Sequence, residues 1–154
     1  MFFIIEAGVP LGNAVQSSTH NRFNCVNNNC AADKAIDKDM STYSLTLMAT
    51  QNDWWSVELL VEAAIDQINA YLSQNDLRQG KFNQFQVTSR RSNTEDWSIC
   101  KEKYSVTEPV NPHVLRCERP TIAKYLRLNV FGGNYLAIME LVVLGSTLGQ
   151  LLLT

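Results

Sequence analysis

Apolar and polar residues alternate in several short runs along this chain, most clearly in Trp54-Trp55-Ser56-Val57-Glu58-Leu59. Trp55, Val57 and Leu59 fall on one face and Trp54, Ser56 and Glu58 on the other, which predicts a half-buried strand anchored by tryptophan. Residues 82–89 repeat the pattern with Phe85 and Val87 inward, and residues 125–130 repeat it with Leu126, Leu128 and Val130 inward. Residues 135–144 are nearly all apolar, as a strand buried on both faces would be. Turn signals separate these runs: polar residues 90–96, Pro109 and Pro112 within 97–117, and Gly132-Gly133-Asn134. Residues 8–19 read as an extended N-terminal segment and the Asn-rich residues 21–29 as a loop. Many short strands between turns predict an all-β sandwich. Residues 59–72 conflict with that reading. Leu60, Ala64, Ile65, Ile68, Tyr71 and Leu72 have near-helical spacing, and periodicity alone predicts a helix there.

Composition narrows the function classes. A chain of 154 residues, 45% hydrophobic and 18% charged, suits one domain with a sizeable core. A net charge of −2 argues against nucleic acid as the main partner, because phosphate binding needs a basic surface. The four cysteines, Cys25, Cys30, Cys100 and Cys117, form no C-x-x-C pair, and with only two histidines a structural zinc site is not expected. Two compact spacings fit bridges Cys25–Cys30 and Cys100–Cys117, although four cysteines allow three connectivities. Disulfides would place the chain in an oxidising compartment, secreted or extracellular. Met1-Phe2-Phe3-Ile4-Ile5 is apolar, but Glu6 interrupts it and no basic region precedes it, so it reads as neither a complete signal peptide nor a membrane span. No N-x-S/T sequon occurs.

Catalytic patterns are missing from the sequence. There is no Gly-x-Ser-x-Gly, no His-Glu-x-x-His and no Gly-rich phosphate loop. Glu58 and Glu62 lie four apart, but a carboxylate pair without a cleft is not a site. A non-catalytic protein is expected.

Five segments, taken in order, resemble the F-type lectins (fucolectins), a branch of the discoidin-like, galactose-binding jelly rolls. They are Gly8-Val9-Pro10-Leu11-Gly12-Asn13-Ala14-Val15-Gln16-Ser17-Ser18-Thr19, Ala35-Ile36-Asp37, the Trp54–Leu59 run with Glu58 where the family has Asp, Tyr125-Leu126, and Met139-Glu140-Leu141-Val142-Val143. The resemblance implies a β-sandwich jelly roll over residues 8–145, with residues 1–7 and 146–154 as terminal extensions. Over residues 59–72 it implies two strands joined by a short turn, with Ile68, Ala70 and Leu72 facing one way. It also implies the Cys100–Cys117 bridge.

The same resemblance implies a structural calcium. Asp37 and Glu140 would bind through their side chains, Lys34, Asp39 and Met139 through backbone oxygens, and Ser44 through a further oxygen. Glu140 supports this on physical grounds, since a carboxylate inside an apolar strand needs a partner. The family's sugar motif, a histidine followed downstream by Arg-x-Asp-x-x-x-x-Arg/Lys, aligns with Gln74-Asn75-Asp76-Leu77-Arg78-Gln79-Gly80-Lys81. Asp76 and Lys81 match, Gln74 replaces the first arginine, and Leu77 and Arg78 stand where the family has adjacent cysteines. The histidine position falls near Leu47, and residues 42–49 hold no histidine. Gln74, Asp76, Arg78 and Lys81 are thus the expected sugar contacts, in a site retuned away from the family's fucose mechanism. The implied function is an extracellular carbohydrate-binding module with a glycan or glycoprotein ligand. The alternative is a discoidin-type adhesion module that binds a protein or, peripherally, a membrane surface; either could oligomerise.

Overall fold

The computed structural model describes residues 7–21, 25–47, 52–74, 84–107, 110–132 and 134–148. In these residues nine strands follow in chain order: β1 (Ala7–Gly8), β2 (Leu11–Gln16), β3 (Ser44–Leu45), β4 (Asn52–Leu72), β5 (Phe85–Arg90), β6 (Ser98–Tyr104), β7 (His113–Leu115), β8 (Thr121–Phe131) and β9 (Ala137–Thr147). Two 3-10 turns, Val26–Asn28 and Ala32–Ala35, lie between β2 and β3.

β4 is the axis of the fold. Its first half pairs antiparallel with β2 on one edge and β8 on the other, with Trp55 opposite Leu128 and Val57 opposite Leu126. β8 continues to β5, and β5 to β6. After a register shift between Glu58 and Ala63, β4 turns toward β9 and β7, placing Ile68 opposite both Val143 and Leu115. β1 and β3 attach to β9. The chain therefore folds as a β-sandwich whose two layers share one long strand. Trp55, Leu59, Phe85, Val87, Leu126, Leu128 and Val130 from one half, and Ile68, Leu72, Ile138 and Val143 from the other, are all fully buried between the layers. The inward positions read from the alternating runs are all in this core.

Residues 59–72 correct both sequence expectations. They form neither a helix nor two strands joined by a turn; β4 runs through as one strand. The misleading spacing has a local cause. Inward positions are odd-numbered up to Ile65 and even-numbered from Ile68, because the register shifts around Asp66. The phase change leaves a three-residue step, Ile65 to Ile68, which imitates a helix face. Leu60, the first residue of that spacing, faces solvent at the bend, as does its neighbour Val61. Gly145 faces this bulge opposite Ile65, and a Cβ there would run into the Ala64 carbonyl.

Both disulfides form, Cys25–Cys30 and Cys100–Cys117. The second ties β6 to the segment after β7. β9 continues through Ser146 and Thr147. On the outer face of the β4–β8–β5 layer, side chains stack alternately as aromatic and cation. The Arg127 guanidinium lies 3.7 Å from the Trp54 ring centroid and 4.4 Å from Trp97, and Arg90 lies 4.3 Å from Trp97 and 5.2 Å from Tyr125. Arg127 fills the gap between two tryptophans, so Arg127→Ala should cost about 1–3 kcal/mol from two lost cation–π contacts and the packing of the stem. Urea denaturation would measure it; an unchanged midpoint would contradict the role assigned to this stack.

Candidate functional site

The segment after the turn Ala32–Ala35 doubles back so that its oxygens collect around one hydroxyl. Thr42 Oγ1 donates to Asp37 Oδ2 at 2.5 Å and also lies 3.0 Å from the Asp39 carbonyl oxygen and 3.4 Å from that of Lys34. One hydroxyl hydrogen cannot serve three acceptors, so this nest has more oxygen lone pairs than donors. Asp37 Oδ1 accepts from the Asp39 N–H at 3.0 Å. The Asp39 carboxylate is turned away to Ser41, whose hydroxyl and N–H hold it below the usual carboxylate range; it is the Asp39 carbonyl that faces the nest.

Glu140 reaches this segment from β9. Its Oε2 accepts the Lys38 N–H at 3.0 Å, and Lys38 adopts the left-handed conformation (φ 61°) that presents this N–H. The side chain is buried. Burial pushes the Glu140 carboxyl up to about 7, against the pull of the Lys38 N–H, and the nearby Asp37 and Asp39 push the same way as burial. Among the described residues no three carboxylate, histidine or cysteine side chains gather around one point. A cation here would lean on carbonyl and hydroxyl oxygens beside two carboxylates, the donor set of hard cations such as calcium.

The expected metal residues therefore divide. Lys34, Asp37, Asp39 and Glu140 converge on one loop and the strand facing it. Met139 precedes Glu140 on β9. Ser44 sits on β3 with its hydroxyl 3.4 Å from the Ile138 carbonyl, engaged with β9 rather than with Asp37. The hydroxyl in the nest is that of Thr42, which the sequence reading missed. Its signal was a threonine five residues after Asp37, readable only as a turn residue without the fold.

Of the expected sugar contacts, Gln74 lies half-buried just beyond β4, and Asp76, Arg78 and Lys81 lie outside the described residues. The two ends of that loop are held firmly. Asn111 clamps β4, accepting the Leu72 N–H at 3.0 Å and donating to the Leu72 carbonyl at 2.9 Å, and the Ser73 N–H donates to the Ala137 carbonyl. Phe85, the first residue of β5, is fully buried with its ring edge-on to Tyr104. Asn111 precedes the cis peptide at Pro112 and was not singled out from sequence. The carboxylates Glu58 and Glu62 are each engaged by a cation rather than by one another: Lys124 lies 3.5 Å from Glu58, and Arg91 donates twice to Glu62, at 3.0 and 3.1 Å.

The bent strand β4 shared by the two layers makes the fold a β-sandwich. The model of the F5/8 type C domain matches residues 13–141, and the chain belongs to this family. No curated protein sequence matches it. Solved structures match across nearly the whole chain. One is a fucose-binding module from Streptococcus pneumoniae, with 17% identity and a TM-score of 0.72, covering 95% of this chain and 100% of that one. Another is a pectin-binding carbohydrate-binding module, with 19% identity and a TM-score of 0.67, covering 88% and 91%. A third is an F-lectin (fucolectin) from the serum of striped bass, Morone saxatilis, with 18% identity and a TM-score of 0.64, covering 88% of this chain and 47% of that one.

Proposed function

We propose that this chain is a non-catalytic, extracellular carbohydrate-binding module, braced by a calcium ion and reading a glycan with the loop after β4. The observation that carries the reading is the match, over nearly its full length, to a fucose-binding module, in a chain whose residues 74–81 are mostly polar. Gln74, Asp76, Arg78 and Lys81 supply donors and acceptors for sugar hydroxyls. The substitutions at the histidine and first arginine positions point to a glycan other than simple fucose. Asp37, Glu140, the Thr42 hydroxyl and the carbonyls of Lys34 and Asp39 would hold the calcium. When bound, the ion would neutralise the carboxylates and tie the loop to β9. The two disulfides fit an oxidising compartment.

The test is retention on immobilised glycoproteins before and after periodate oxidation of their glycans. The expected result is binding that periodate abolishes and that Lys81→Ala weakens about tenfold or more without changing the melting temperature. Binding that survives periodate would overturn the carbohydrate reading.

A second reading has one observation in its favour. Leu47 and Val110, exposed at 39% and 58%, lie in the segments just after β3 and just before β7. Apolar tips of this kind suit a membrane or protein surface. Cosedimentation with anionic vesicles distinguishes the two, and the carbohydrate reading predicts none.

A further inference from the structure

A groove runs along the side of the sandwich between two strand edges. β6 pairs only with β5, and β7 only with β4, among the described residues. The Cys100–Cys117 bridge closes one end of the gap, reinforced by the Glu118 N–H donating to the Cys100 carbonyl at 2.7 Å. Tyr104 and His113 close the other end. Their rings are stacked with centroids 5.6 Å apart, and the Tyr104 hydroxyl lies 2.5 Å from His113 Nε2. The cavity measures about 340 Å³ and is lined by Lys101, Tyr104, His113, Val114, Leu115 and Arg116. That is the lower end of the range of small-ligand pockets, about 300–1,000 Å³.

The charges in the groove are lopsided. Lys101 and Arg116 bring two cations to a wall that is otherwise aromatic and aliphatic. Lys101 is 4.0 Å from Glu118 and 5.3 Å from the Tyr104 ring centroid, so only a loose, exposed ion pair offsets it. Arg116 spends Nη2 on the neutral Gln67 amide oxygen at 2.7 Å. His113 is held below its usual range, first by burial and then by Lys101, and stands neutral at pH 7. Lys101, paired only loosely with Glu118, and Arg116, held only by a neutral amide among the described residues, stand beside an apolar wall and form a recognition surface for one anionic group on a ring rich in hydroxyls.

We propose that this groove is a second binding site, separate from the loop after β4, and that it takes a hexuronate residue of an acidic polysaccharide. Lys101 and Arg116 donate to its carboxylate, and the edge of β7 meets its hydroxyls. The inference rests on the carbohydrate reading for its ligand class, but its residues and its test are independent of that loop.

His113 is one of only two histidines, so its imidazole resonances report the site directly. The experiment follows them by NMR while sodium galacturonate, galactose or sodium acetate is added at constant ionic strength. The expected result is a saturable shift at His113 with galacturonate, a rise in its titration midpoint as the added anion stabilises the imidazolium, and neither effect with galactose. Lys101→Gln and Arg116→Gln should each weaken the uronate response about tenfold and together abolish it. No response to galacturonate, an equal response to galactose or acetate, or a response that survives the double variant would overturn the proposal. Silence here together with periodate-sensitive glycoprotein binding would remove this site and leave the proposed function standing. A uronate response together with periodate-resistant binding would do the reverse for the loop after β4.

Discussion

In chelator, the chain is expected to lose stability as pH rises from about 4.5 through about 7, and Glu140→Gln is expected to remove most of that loss. The sign follows from proton binding. Glu140 ionises near 4.5 when unfolded and at about 7 when folded, so between these values the folded state holds the extra proton. Raising the pH through this window favours the unfolded chain, and the effect levels off above it. The glutamine variant carries no buried charge, so in chelator it should equal or exceed the natural protein in stability at pH 8 and show little advantage at pH 4. Calcium bound at the proposed site would reverse the order. A ligand that binds only the folded state adds about 2.7 kcal/mol at a hundred times its Kd. The natural protein should gain that stability, and Glu140→Gln should lose most of it. Melting curves at pH 4, 6 and 8, with calcium and with chelator, measure all of this. Identical curves for both proteins under every condition would refute the metal assignment.

Trp55→Ala is expected to be the most damaging single substitution. Trp55 is fully buried, and its Nε1–H donates to the Ala32 carbonyl at 2.9 Å. Removing so large a side chain from a core costs about 3–5 kcal/mol, against a total of about 5–15 kcal/mol for a domain. That variant is expected to lose a large share of its stability and to melt well below the natural protein. Trp55→Phe is the more informative change. It keeps most of the volume but leaves the Ala32 carbonyl without its donor, at a cost of about 1–3 kcal/mol. Ala32 begins the turn that carries Lys34, whose carbonyl faces the oxygen nest. Trp55→Phe should therefore also weaken calcium binding several-fold. A folded Trp55→Phe protein with unchanged calcium affinity would show that the core strand and the loop are not coupled.

The strands were legible where burial follows a period of two. Trp55 and Val57, and Leu126, Leu128 and Val130, keep their alternation because β4 and β8 pair there in unbroken register. Legibility failed at residues 59–72, where a bulge shifts the phase, because a periodicity argument assumes that phase is kept. The oxygen-rich loop was legible in its carboxylates and not in its hydroxyl. Asp37 and Glu140 stand out by charge in apolar surroundings, but whether Ser44 or Thr42 turns toward them depends on loop geometry. The left-handed Lys38 carried no signal, since a lysine gives no warning of a positive φ. The groove between β6 and β7 was illegible for another reason. Lys101 and Arg116 are fifteen residues apart, and only the edges of two different strands bring them together.

A broad glycan array probed with the multimerised protein, once in calcium and once in chelator, decides whether this domain binds carbohydrate. The account predicts a reproducible class of glycan hits, not confined to fucosylated structures, that weakens in chelator as the loops lose their brace. A blank array from protein shown to be folded would contradict it.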